Sequence, residues 1–79
     1  MYKIKFDTID QVKYFVKEID RTTSDSIIRT ENRRYAIDAR SIMGIFSLDL
    51  SNNLLLEIYG EEDDFIGKIR DLGVLIGEV

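Results

Sequence analysis

The 79-residue chain contains no histidine and no cysteine, which removes the commonest general base, the commonest thiol nucleophile and the commonest soft metal ligands together. Hydroxyls, carboxylates and arginines are left to do any chemistry. Ser41 follows Arg40 directly and opens an apolar run of Ile42, Met43, Ile45, Phe46 and Leu48 that encloses Gly44. A serine in that place has two uses. Its hydroxyl can accept the N–H of the second or third residue of a helix, a cap whose loss typically costs about 1 kcal/mol. The same hydroxyl can take a phosphoryl group, whose charge of about −2 would meet unpaired N–H groups and the positive end of the helix dipole. Arg40 is the nearest candidate to pair with that phosphate, and Arg33 and Arg34 are further ones.

The remaining polar clusters read more simply. Glu61, Glu62, Asp63 and Asp64 form an acidic run, and acidic side chains in the first turn of a helix oppose the positive end of its dipole. Arg29, Arg33, Arg34 and Arg40 form a basic window, which reads as a solvated face. There is no glycine-rich phosphate loop and no paired acid and base, so no catalytic residue, metal ligand or cofactor is expected.

The apolar run offers a second kind of function. On a short helix Ile45 and Leu48, three apart, suit the core side, while Ile42 and Phe46, four apart, form a neighbouring stripe with Met43. Methionine and phenylalanine adapt well to protein interfaces, so Ile42, Met43 and Phe46 are the candidate partner-binding patch.

Elements that could hold these residues follow from periodicity. Tyr2 to Phe6 alternates apolar and charged residues, as a half-buried strand does. Thr8 with Gln11 makes a capping box, and Ile9, Val12, Phe15, Val16 and Ile19 give the apolar stripe of a helix. Ser26 to Thr30 and Arg34 to Asp38 predict a hairpin around Glu31-Asn32-Arg33, and Ser41 to Leu48 a two-turn helix. Leu54 to Tyr59 predicts a strand with Leu54, Leu56 and Ile58 on one face and Leu55, Glu57 and Tyr59 on the other. Phe65, Ile66, Ile69 and Leu72 predict a last helix, stopped by Gly73. The exposed strand face would carry Leu55 and Tyr59 beside the stems of Lys3 and Lys5, leaving self-association open.

The order β-α-β-β-α-β-α predicts an α+β open-faced sandwich, a four-stranded antiparallel sheet covered on one face by helices. A chain of this size buries only about 60% of its unfolded surface, so residues 1–79 are expected to form a single domain. A net charge of −4 argues against nucleic-acid binding, which draws its affinity from a basic face. No apolar run reaches the ~20 residues of a membrane span, and MYKIKFD lacks the build of a signal peptide. No membrane association and a cytoplasmic location are expected.

"ARSIMGIFSL", followed by a turn, the strand "LLLEIYG" and the helix start "EEDDF", resembles the second half of the HPr family, the phosphocarrier proteins of the bacterial sugar phosphotransferase system. The Ser-Ile-Met-Gly signature is intact as Ser41, Ile42, Met43 and Gly44, and the likeness covers Tyr35 to Leu72. The resemblance implies that Ser41 is the regulatory serine phosphorylated by a dedicated kinase. It also implies that Ile42, Met43 and Phe46 dock phosphotransferase enzymes or a transcriptional regulator. The first half departs from the family. Where a Gly-x-His-Ala-Arg-Pro motif should place the phosphoryl-accepting histidine and its arginine, this chain reads "KFDTIDQVKYF", with Asp10 near the histidine's place. Asp10 has only Lys13 at helical spacing and reads as an acidic residue of a first helical turn.

The expectation is therefore a non-catalytic HPr-like protein that cannot carry phosphate on histidine. It would act as a protein-binding or regulatory module of sugar phosphotransfer or carbon-source control, with Ser41 as the switch. The alternative is an orphan HPr-fold module, structural or small-ligand-binding, with no tie to phosphotransfer.

Overall fold

A computed structural model describes residues 1–79. Its elements are β1 (Tyr2–Ile4), α1 (Ile9–Ile19), β2 (Asp25–Thr30), β3 (Ala36–Asp38), α2 (Ile42–Phe46), β4 (Leu54–Tyr59), α3 (Asp63–Asp71) and β5 (Leu75–Glu78). The strands make one antiparallel sheet in the order β3-β2-β4-β1-β5, with the helices packed on one face. The α+β class agrees with the sequence reading, and the four-stranded sheet is corrected to five.

The added strand is β5. Its pairing with β1 shifts register between Lys3 and Ile4. Burial alternates along it, half-buried Leu75 and Gly77 against exposed Ile76 and Glu78, but Val74, Leu75 and Ile76 are all apolar and Gly77 has no side chain, so the sequence carries no period-2 signal. Two further ends move inward: β1 stops at Ile4, not Phe6, and β3 begins at Ala36, not Arg34. Arg34 and Tyr35 belong to the hairpin turn, where Asn32 Oδ1 accepts from Arg34 N at 2.9 Å and from Thr30 Oγ1 at 2.6 Å.

Helix α1 begins as its sequence dictates. Thr8 Oγ1 accepts from Gln11 N at 3.1 Å, and Gln11 Oε1 accepts from Thr8 N at 3.1 Å. Gln11 also donates through Nε2 to Leu72 O at 3.0 Å, tying the start of α1 to the end of α3. Gly73 follows with φ +79°, a left-handed turn suited to glycine, and sends the chain into β5. Val12, Phe15 and Ile19 are buried, but Ile9 is 63% exposed and leaves the expected stripe.

The core lies between helices and sheet. Phe15 is central, edge-on to Phe6 with centroids 5.2 Å apart and to Phe65 at 5.4 Å. This arrangement suits the aromatic quadrupole and joins the segment after β1 to α1 and α3. Lys68 Nζ donates to Glu18 Oε2 at 2.9 Å across the two long helices.

Candidate functional site

Helix α2 presents the candidate site. Ser41 adopts an extended backbone and caps it, its Oγ accepting from Gly44 N at 3.0 Å, the third helical residue. Gly44 is required by close approach: a side chain there would begin 3.0 Å from Ser41 Oγ and 3.2 Å from Ile37 Cδ1. The absent side chain lets α2 lie close against Ile37 of β3. The helix itself ends at Phe46, two residues short of the Leu48 end that the sequence predicts, with Ser47 Oγ donating back to Gly44 O at 2.5 Å.

The apolar run divides by depth. Ile45 is fully buried, and Leu48 and Ile42 are half-buried against the core. Met43 is 78% exposed and Phe46 41%. Of the expected patch, Met43 and Phe46 are thus the outward pair and Ile42 is its root. Holding a methionine in water forgoes roughly 1.5–3 kcal/mol of burial, a cost of leaving this surface open.

Arg40 has a structural occupation. Its Nη2 donates to Thr22 O and Thr22 Oγ1, both at 3.0 Å, and to Ser24 O at 2.9 Å. Asp20 lies 3.9 Å from Nε. These bonds pin the loop between α1 and β2 and engage the Nη2 end of the guanidinium. Glu62 holds the same loop from the far side, its Oε2 accepting from Ser24 Oγ at 2.6 Å and from Ser24 N at 3.2 Å. Ser24 is therefore gripped from two directions.

The other singled-out residues are dispersed. Asp10 is exposed in the first turn of α1, in keeping with its reading as an N-terminal helix acid. Arg33 and Arg34 are exposed at the hairpin turn and make no salt bridge. The acidic run supplies Asp63 and Asp64 to the first turn of α3. Nowhere do three or more carboxylates converge into a set able to hold a metal ion.

Beyond α2 the loop back to the sheet is stiff. Asp49 accepts from Ser51 Oγ at 2.6 Å and Ser51 N at 3.1 Å, and these bonds hold its carboxyl below the usual carboxylate range. Between this loop and the hairpin runs an open groove of about 510 Å³, walled partly by Tyr35, Asn32 and Asn52. Its polar groups already bond one another: Thr30 with Asn32, and Asn52 with Asp49.

Across the sheet, on the face without helices, Arg29, Glu57 and Tyr59 form a triad that periodicity alone leaves hidden. Tyr59 OH donates to Glu57, and Arg29 Nε lies 3.4 Å from the same carboxylate. Glu57 is held below its ordinary pKa, first by the tyrosine and then by the arginine, and Tyr59 is raised by the carboxylate it bonds. The register could have revealed it: Ile27 opposes Glu57 and Arg29 opposes Leu55, which makes Arg29 and Glu57 diagonal neighbours. Leu55 itself is only 5% exposed, not open as its place on that face predicts. It stands in register between Lys3 and Arg29, whose aliphatic stems cover it.

No helix of the chain is long and apolar enough to cross a membrane. Comparison with known proteins finds no matching family model, no matching curated protein and no matching solved structure.

Proposed function

We propose that the chain is a non-enzymatic, HPr-like protein-binding module that docks partners through Met43 and Phe46 on α2, with Ser41 as a regulatory phosphorylation site. The observation that carries this reading is the exposure of two large apolar side chains on a short helix whose other side is fully committed to the core. An exposed methionine beside an exposed phenylalanine, rooted by Ile42, is a compact and adaptable contact surface. The first seven elements, in the order β-α-β-β-α-β-α, support the HPr-like part of the proposal. Phosphotransferase components, a serine kinase and a transcriptional regulator are the partners it implies.

The experiment has two arms. With phosphoenolpyruvate and the general phosphotransferase enzyme, the chain is expected to take no label; labelling on any residue overturns the reading. With the serine kinase and ATP, labelling that disappears in Ser41→Ala supports the regulatory role. Absence of labelling confines the function to docking or favours the second reading, an orphan small-ligand module. The groove beside Tyr35 favours that alternative.

A further inference from the structure

The groove between the hairpin and the loop after α2, about 510 Å³, lies within the roughly 300–1,000 Å³ of small-molecule sites. Thr30 N donates to Tyr35 O at 3.1 Å, so the β2–β3 ladder continues through Tyr35, and alternation sets Tyr35 on the same side as Ile37. That side faces α2, since Ile37 Cδ1 lies 3.2 Å from where a side chain at Gly44 would begin. Tyr35 thus stands in the groove wall, 64% exposed, with Ile37 and Leu48 as apolar lining.

Two amides of the lining are each fixed at one end and free at the other. Asn32 Oδ1 accepts from Thr30 Oγ1 at 2.6 Å and from Arg34 N at 2.9 Å, while its Nδ2 donates to no group of the chain. Asn52 is the reverse: its Nδ2 donates to Asp49 Oδ2 at 3.2 Å, and its Oδ1 accepts nothing. The fold therefore holds one donor and one acceptor in place before any ligand arrives, which lowers the ordering cost of binding. Asp49 is the only charged side chain of the lining.

We propose that this groove binds a neutral saccharide, its C–H face laid on the Tyr35 ring and its hydroxyls meeting Asn32 Nδ2 and Asn52 Oδ1. A pyranose ring joins these needs in one molecule: a face of C–H groups for the aromatic surface, and an edge of hydroxyls that each donate and accept. Two vicinal hydroxyls serve the donor and the acceptor together. Asp49 sets the sign of the charge, because a phosphorylated or carboxylated ligand would stand against it with no basic side chain in the lining to compensate. Saccharide binding here rests on the small-ligand reading of the groove, and docking through Met43 and Phe46 is independent of it.

Resonances of the full isotope-labelled chain, titrated with glucose, galactose and maltose, test the proposal. Saturable shifts in the millimolar range are expected on Tyr35, Leu48 and the side-chain amides of Asn32 and Asn52, and glucose 6-phosphate should bind about tenfold more weakly than glucose. Tyr35→Ala should weaken binding about tenfold and Tyr35→Phe should leave it unchanged, because the ring is the part used. Asn32→Asp keeps the oxygen that holds the hairpin turn and removes the donor, so a loss of about tenfold in that variant is one of binding, not of folding. Tyr14 on α1 and Tyr59 on the helix-free face, 54% and 57% exposed, are internal controls for unspecific stacking. No saturable shift at the groove with any of the three sugars, shifts shared equally by Tyr14 and Tyr59, or unaltered binding in Tyr35→Ala would each overturn the proposal. Tighter binding of glucose 6-phosphate at the groove would overturn the neutral saccharide and leave the small-ligand reading standing, so the two failures are distinguishable.

Discussion

Ser41 Oγ stands 3.0 Å from the amide nitrogen of Gly44 and 3.0 Å from the point where a side chain at Gly44 would begin. The cap and the missing side chain share one crowded corner: a side chain at residue 44 would press on the hydroxyl that caps the helix. The same contact sets Ile37 against α2, so the start of the helix, its packing on β3 and the exposure of Met43 depend on each other.

Ser41→Ala is expected to cost about 1 kcal/mol from loss of the cap, whereas in Gly44→Ala crowding against Ser41 Oγ and Ile37 Cδ1 opposes the roughly 1 kcal/mol by which alanine is the better helix former. In the double variant the crowding by Oγ is gone, so the two effects should depart from additivity. Urea denaturation of the four proteins measures this; strict additivity would show that the two residues act separately.

Removing the guanidinium by Arg40→Met should cost roughly 1.5–3 kcal/mol, because three oxygens lose a charged donor. The amides of residues 22 to 25 should then exchange faster with solvent than those of β4. Unchanged exchange in that loop would mean that Glu62 alone holds it.

The acid limb of stability should carry the mark of Glu18. Its carboxyl is lowered first by the hydrogen bond from Lys68, so its contribution is present above the ordinary glutamate pKa and lost as pH falls through the lowered folded value. Lys68→Met should flatten that part of the profile. Tyr59 runs the other way: raised by Glu57, it contributes below the ordinary tyrosine pKa, and the contribution fades as pH rises through the folded one. In Glu57→Gln the phenol should titrate earlier, which ultraviolet absorbance records directly.

Met43→Ser and Phe46→Ser should change folding stability by only about 0.5 kcal/mol, as surface substitutions usually do. Ile45→Ala, in the same helix, should cost about 2–5 kcal/mol. Chemical denaturation separates the classes, and a large loss at Met43 would show that it is core, not contact surface.

Elements with an intact local signal were legible in the sequence. The Thr8 and Gln11 box, the Ser41 cap and the Leu54 to Tyr59 alternation each depend on neighbours a few residues away, and all three stand in the structure. Strand β5 was not legible, since Leu75 and Gly77 hold its half-buried positions and its exposed Ile76 is apolar, so hydrophobicity does not alternate as burial does. The hairpin turn around Glu31-Asn32-Arg33 was legible as well, although Arg33, at φ +62°, takes a left-handed conformation that glycine or asparagine adopts more readily. At the candidate site, Ser41, Met43 and Phe46 could be placed from spacing alone. The occupation of Arg40 could not, because its acceptors lie 16 and 18 residues away and are joined only by the fold.

The most direct measurement is an amide-resonance titration of the isotope-labelled chain with the general phosphotransferase enzyme in the presence of phosphoenolpyruvate. The proposed function predicts shifts concentrated on Ser41 to Phe46, their loss in Met43→Ser with Phe46→Ser, and no phosphoryl group gained by the chain. Shifts that leave α2 untouched, or a phosphorylated chain at the end of the titration, would contradict it.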